Sequence, residues 1–247
     1  MEQLIQSDDR HRHPELDSLT AIVWDYGLPT RVPLWHGQNR GTTAPARFVE
    51  MQAQHLRQRR EYGDQRLSLC AAELQHGSVL LDFELIPSQH RIAIGVQYAR
   101  LMRQGRLGHG DAQSKTRFVR YNEPLARSAQ VAFCPFVSRL AGQRLMPTFT
   151  YTAHYASDGN LPFHQDRDQC EVTLALCIDR RETAMGRSLL CVVSGSITRA
   201  AELRPGWGLI FRGRDLPHGR ITIGTEADQP TVMLLHYVDE SFAGEIL

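Results

Sequence analysis

A mainly β fold (α+β), a jelly roll with an α-helical cover, is what the 247-residue sequence predicts. Downstream of residue 145 the chain breaks into short apolar runs separated by turn residues, at intervals of roughly ten to twenty residues. Upstream of that point, apolar residues recur at helical spacing instead. No internal repeat, low-complexity tract or Pro/Gly/Ser-rich linker cuts the chain, so helices and strands are expected in one unit. The expected organisation is a single domain over 1–247. A helix-rich region at 1–144 would buttress a jelly-roll core at 145–240.

Residues 44–62, dense in Gln, Arg, Glu and Ala, predict a first helix. Residues 78–86 (Val79, Leu80, Leu81, Phe83, Leu85) predict a strand. Ile92, Ile94, Val96, Tyr98 and Leu101 fall at helical spacing within 90–104, and Asn122-Glu123-Pro124 opens a helix over 123–141. Between these two helices, 105–115 reads as a polar, glycine-bearing loop. The strands expected beyond residue 145 span 148–155, 170–178, 188–194, 207–211, 219–223 and 231–238. Asp158-Gly159-Asn160, Ser194-Gly195-Ser196 and Pro205-Gly206 supply turns between them.

Composition narrows the function. A formal net charge of +1 argues against a nucleic-acid binder, and the Arg-Gln-Arg-Arg run at 57–60 reads as a solvated helix face. No apolar run approaches the ~18 residues of a membrane-spanning helix. The first residues are acidic and polar, without the basic and apolar regions of a secretory signal. Five cysteines, odd in number and without a C-x-x-C pair, fit reduced thiols, so a cytoplasmic protein is expected. Of the 28 basic residues only Lys115 is lysine, which leaves arginine to hold any bound anion.

The sharpest local feature is Phe163-His164-Gln165-Asp166. In extended backbone, side chains at i and i+2 share a face, so an imidazole and a carboxylate can converge on one cation. A third ligand should come from a strand facing them. His218, 54 residues after His164, is the candidate. Two His and one carboxylate are the ligand set of non-haem Fe(II) oxygenases. A lone H-x-D pair is equally a surface polar pair. The chain contains a second one, His109-Gly110-Asp111, which reads as part of a solvated loop. His154 and His236, flanked by apolar neighbours, read as core histidines. No spacing makes Cys170 or Cys177 a metal ligand.

Context separates the two H-x-D pairs. The stretch Tyr155-x-x-x-Gly159-x-Leu161-x-x-His164-x-Asp166-Arg167 resembles the metal-binding segment of the Fe(II)- and 2-oxoglutarate-dependent dioxygenases, in particular their prolyl 4-hydroxylase-like branch. Leu203-Arg-Pro-Gly206-Trp-Gly208-Leu-Ile-Phe211 is similar to the strand that precedes the family's distal histidine. Leu216-Pro-His218-Gly-Arg220 stands in that histidine's place, and Met233-Leu-Leu-His-Tyr-Val238 in that of the closing strand. The likeness spans about 145–240. It implies a double-stranded β-helix core, Fe(II) held by His164, Asp166 and His218, 2-oxoglutarate and O2 as cosubstrates, and succinate and CO2 as products. It also implies oxidation, chiefly hydroxylation, of a small-molecule, amino-acid or peptide substrate, because Asp166 fills the position a halogenase must free for halide.

The chain departs from the family at one point. A Lys or Arg some ten residues beyond the distal histidine commonly binds the far carboxylate of 2-oxoglutarate, yet no basic residue follows Arg220. Arg220 is the expected substitute, with Arg212, Arg214 and Arg167 behind it. At i+2 from His218 it shares the ligand's face, about 6.6 Å along the strand, and its planar fork suits a carboxylate. Tyr151 and Tyr155 lie on one face of their strand and are candidates to hydrogen-bond the cosubstrate. Arg167 either orients Asp166, meets an acidic substrate or pairs with Glu171. Two other readings stand beside this one: a cupin-like metalloenzyme that does not use 2-oxoglutarate, and a jelly-roll binding module without turnover.

Overall fold

The computed structural model describes residues 64–182, 186–224 and 228–246. The helix expected at 44–62 and the basic run at 57–60 lie outside them. Residues 64–75 are helical. Two longer helices follow, α1 (Ser88–Arg103) and α2 (Pro124–Ala141). The strands in chain order are β1 (Ser78–Leu81), β2 (Gly108–His109), β3 (Arg117–Tyr121), β4 (Leu145–Tyr155), β5 (Leu161–His164), β6 (Val172–Arg181), β7 (Gly186–Ser194), β8 (Ile197–Ala201), β9 (Gly208–Phe211), β10 (His218–Gly224) and β11 (Gln229–Asp239). No described helix is long and apolar enough to cross a membrane.

The strands form two antiparallel sheets, one of seven in the order β1-β9-β6-β11-β4-β3-β2 and one of four in the order β5-β10-β7-β8. From β4 onward the chain passes back and forth between them. The continuous apolar run of β6 follows from its position: Val172, Leu174, Leu176 and Ile178 pack toward the helices. Ala175 and Cys177 point the other way, against Leu190, Val192, Leu209 and Phe211 between the sheets. A strand covered on both faces has no solvent side to write into its sequence.

The helices are fixed to the larger sheet by buried polar ties as well as by packing. Glu123, fully buried, caps α2 by accepting hydrogen bonds from the backbone N–H groups of Leu125 (2.9 Å) and Ala126 (3.2 Å), with Pro124 opening the helix. It also accepts from the Tyr98 hydroxyl of α1 at 3.1 Å, and that hydroxyl accepts from Thr152 of β4 at 3.3 Å. At the far end of α2, Gly142 closes the helix at φ 69°. Midway, the Gln130 amide donates to the carbonyls of Phe149 (2.9 Å) and His236 (2.6 Å), joining α2 to β4 and β11.

Several expectations are corrected. The strand expected over 78–86 stops at Leu81, although Leu85 and Ile86 remain buried. The part of the chain before residue 145 holds more strand than expected, since beside β1, which extends one edge of the larger sheet, β3 and β2 extend the other. The loop read at 105–115 includes the short strand β2. In α1 the buried positions are His90, Tyr98 and Leu101, while Ile92 and Val96 face outward. β5 and β8 fall where no strand was expected.

Candidate metal centre and its cavity

Strand register brings the two histidines together. His218 opens β10 directly opposite His164, the last residue of β5. Asp166 lies two residues beyond the end of β5 and is held by its own N–H, which donates to the Gly213 carbonyl at 2.9 Å. The expected convergence of His164 and Asp166 therefore comes from a strand end and a tethered loop, not from two positions of one strand. Gly213 and Gly219 permit this closeness. A Cβ on Gly213 would stand 2.5 Å from Asp166 Oδ2, and one on Gly219 would stand 2.7 Å from the Leu161 carbonyl of β5.

His164 Nε2 lies 3.5 Å from Asp166 Oδ1, and His218 Nε2 lies 3.4 Å from Asp166 Oδ2. Each ring turns its Nδ1 to a backbone carbonyl two residues earlier, that of Pro162 or of Leu216, at 2.9 Å. Anchoring of Nδ1 on a carbonyl turns Nε2 of each ring toward Asp166, the usual outer support of metal-binding histidines. Burial alone would raise the Asp166 carboxyl, but hydrogen bonds from His164 and His218 and nearby imidazole charge outweigh it and hold it well below the usual carboxylate range. Burial alone would lower His164, and there the Asp166 hydrogen bond, the Pro162 carbonyl and the Asp166 charge prevail and raise it. An ionised carboxylate between two Nε2 atoms is a donor set suited to a divalent first-row metal. Asp166 belongs also to a second cluster among the described residues, with Cys170 and His236.

The three residues line a cavity of about 480 Å³. Arg220 projects into it from β10, 3% exposed, with its guanidinium 4.7 Å from the Tyr155 ring centre. One terminal nitrogen donates to Ser188 Oγ at 3.1 Å, Nε has no partner, and among the described residues no carboxylate pairs with it. A buried guanidinium without a counter-charge is costly, and an anionic ligand relieves that cost. On β11, which begins some ten residues beyond His218, the residues that line the cavity are the apolar Val232 and Leu234 and the imidazole of His236.

Tyr151 and Tyr155 both line the cavity, as their shared face requires. The Tyr155 hydroxyl accepts from Arg117 at 3.2 Å, whereas the Tyr151 hydroxyl donates to Asp111. The Tyr151 proton is thus committed within the protein. Arg117 is the residue missed from sequence. It pairs with Tyr155 across β3 and β4, is buried, and meets Asp111 at 2.7 Å. Its cross-strand position would have marked it had β3 been recognised. Asp111, read as solvated, receives the N–H groups of Gln113 and Ser114 as well and faces the cavity; His109 alone is exposed, against Phe118.

His154, expected in the core, is half-buried and hydrogen-bonded to Thr231 at 2.8 Å. His236 is buried as expected, paired with Thr173 at 3.0 Å and pushed down to about 4 by burial, but it also lines the cavity. Arg167 does not pair with Glu171, whose carboxylate lies instead 3.9 Å from Arg214. All five cysteines are free, with Cys170 at the cavity wall.

Solved structures share this architecture. A prolyl-4-hydroxylase from Pseudomonas putida is similar over 69% of this chain and 97% of its own, at 13% identity and a TM-score of 0.56. A prolyl hydroxylase from Trichoplax adhaerens, solved with a hypoxia inducible factor peptide fragment, covers 80% of this chain and 95% of its own at 15% identity and a TM-score of 0.57. The chain has the fold of the 2-oxoglutarate/Fe(II) oxygenases. The α-ketoglutarate-dependent epimerase SnoN of nogalamycin biosynthesis shares it too, over 71% of this chain and 83% of its own, at 14% identity and a TM-score of 0.57. No protein-family model and no curated protein matches the sequence. In this double-stranded β-helix, the expected ligands line the cavity between the two sheets.

Proposed function

We propose that this protein is an Fe(II)- and 2-oxoglutarate-dependent oxygenase that oxidises, chiefly by hydroxylation, a C–H bond of a small-molecule or peptide substrate, releasing succinate and CO2. One observation carries the reading. A cluster of two histidines and one carboxylate shares a single cavity with a buried arginine that has no carboxylate partner, and that arginine stands two residues from the second histidine on β10.

Bound together, Fe(II), 2-oxoglutarate and O2 supply oxidising power that no side chain possesses. The protein's own groups position and exclude. His164 and His218 present Nε2 because Nδ1 of each is tied to a carbonyl. Asp166 contributes an oxygen and a full negative charge. Arg220 takes the far carboxylate through its planar fork, steadied by Ser188 and by the Tyr155 ring. The Tyr155 hydroxyl, accepting from Arg117, keeps its proton to donate into the cavity. Leu161, Leu190, Val232 and Leu234 line the cavity with apolar surface suited to the methylene carbons and keep water out. The five free thiols favour a cytoplasmic setting.

Anaerobic addition of Fe(II) followed by 2-oxoglutarate tests the reading through the visible charge-transfer band of keto-acid chelation. The band is expected in the native protein and absent in folded His164→Ala and Asp166→Ala. Arg220→Ala should weaken 2-oxoglutarate binding by about 2–5 kcal/mol, the cost of leaving a buried charge partner unmatched. Full turnover in either ligand variant would remove the site assignment. Metal binding without the band would instead favour a metalloenzyme that does not use 2-oxoglutarate, a reading to which the lack of any Lys or Arg beyond Arg220 lends weight.

A further inference from the structure

The cavity has a buried end and an open one. Arg220 and Tyr155 close the first, 3% and 2% exposed, while Tyr121 and Arg167 stand exposed at the second. Between them an aromatic shelf runs along the larger sheet. Phe149 lies 4.5 Å from the His236 ring and 5.9 Å from Tyr121, and Tyr121 meets Tyr151 edge-on at 4.7 Å. The shelf stands on rigid backbone, because Gln130 holds the carbonyls of both Phe149 and His236.

The charges of the lining have separate fates. Arg117 is matched by Asp111, and Asp166 faces the two imidazoles. Arg220 is matched once a dianionic cosubstrate is bound. Arg167 is left over. Its guanidinium lies 5.4 Å from the Phe149 ring centre, which positions it over the shelf, and among the described residues no carboxylate pairs with it. Glu171, the acid nearest in sequence beyond Asp168, is engaged by Gln143, Arg214 and the Asp239 N–H. A divalent cation and a dianionic cosubstrate cancel in charge, Asp166 offsets Arg220 and Asp111 offsets Arg117, so the loaded cavity keeps one net positive charge, that of Arg167.

We infer that the substrate carries a carboxylate that pairs with Arg167 while its apolar body lies on the Phe149–Tyr121 shelf. The planar guanidinium offers paired donors to a carboxylate, and the ring beneath it limits the orientations it samples. A primary amine is disfavoured at the same place by like charge. The inference deepens the oxygenase reading and rests on it for the loaded state, but Arg167, Phe149 and Tyr121 are not themselves among the expected metal ligands.

Calorimetric titration of the full chain, loaded with Mn(II) and saturating 2-oxoglutarate so that Arg220 is occupied, tests it with three probes of one shape: 3-phenylpropionate, 3-phenylpropionamide and phenethylammonium. The acid should bind about tenfold tighter than the amide, as one charge-assisted contact implies, and the amine weakest. Arg167→Gln should erase the difference between acid and amide, and Arg167→Lys should keep part of it. Equal binding of acid and amide, no binding of the acid, or a preference that survives Arg167→Gln would overturn the inference. If the protein fails to take up Mn(II) and 2-oxoglutarate while the acid preference persists and follows Arg167, the oxygenase reading falls and the anion site stands.

Discussion

Replacing Gly213 with alanine should weaken metal binding without unfolding the protein. The new Cβ would stand 2.5 Å from Asp166 Oδ2, 2.7 Å from Thr173 Oγ1 and 3.2 Å from the Cys170 carbonyl, where ordinary contact begins at 3.4 Å. The backbone itself is not strained by the change, so the effect is steric. The Asp166 oxygen has to retreat by about 0.9 Å, several times the ~0.2 Å within which ligand distances hold in a formed site. That oxygen is the one facing His218, and Thr173 is the partner of His236, so one methyl disturbs a ligand and its neighbour together. Affinity should fall roughly 10–100-fold, as when an outer support of a metal site is lost, with about 1–3 kcal/mol of stability from overpacking. Mn(II) calorimetry beside thermal melts reads both quantities. Gly108→Ala, whose Cβ meets nothing nearer than 3.7 Å, is the control. Mn(II) affinity within twofold of the native value in Gly213→Ala would refute the reasoning.

Glu123→Ala removes the α2 cap and strips the buried Tyr98 hydroxyl of its acceptor; a loss of roughly 1–3 kcal/mol is expected in urea melts, with Mn(II) affinity unchanged. Asp111 responds to pH. Burial alone would raise its carboxyl, but the Tyr151 hydroxyl, the Ser114 N–H and Arg117 hold it below its ordinary value. Its stabilising contribution is therefore complete above about pH 4 and fades as pH falls through the lowered folded value. Melting temperatures from pH 6 to pH 3 should drop less steeply in Asp111→Asn than in the native protein, and parallel curves would refute this. Burial pushes Cys177 up to about 12 and raises Cys170 further, so iodoacetamide at pH 8 should leave both unlabelled in the folded protein, as peptide mapping would report.

The strands of the core are legible wherever burial writes a run of apolar residues into the chain. β6 and β11 extend beyond the ranges expected of them by a few residues at most, and α2 begins at the Asn-Glu-Pro signal. β5 is not legible, because four residues containing Pro162 carry no alternation; it is a strand by virtue of pairing with β10. β3 hides for a related reason, since Arg117 and Arg120 flank Phe118 and Val119, and burial of an arginine is decided by partners distant in sequence. At the site, His164, Asp166, His218 and Arg220 are singled out in the sequence by the likeness to the dioxygenase family, and all four line one cavity. Asp111 and Arg117 escape notice because a loop aspartate and a strand arginine become cavity walls only once β3 lies beside β4. Residue type identifies a group that ligates or pairs directly, whereas groups that brace it are identified by pairing alone.

β10 is hydrogen-bonded on both sides, to β5 and to β7, and carries His218 and Arg220 on one face. A guest that reached both residues, as proposed, would be measured as well as held. Its length would have to match the spacing of two positions on one paired strand, so homologues one carbon shorter or longer would meet a gauge set by the backbone.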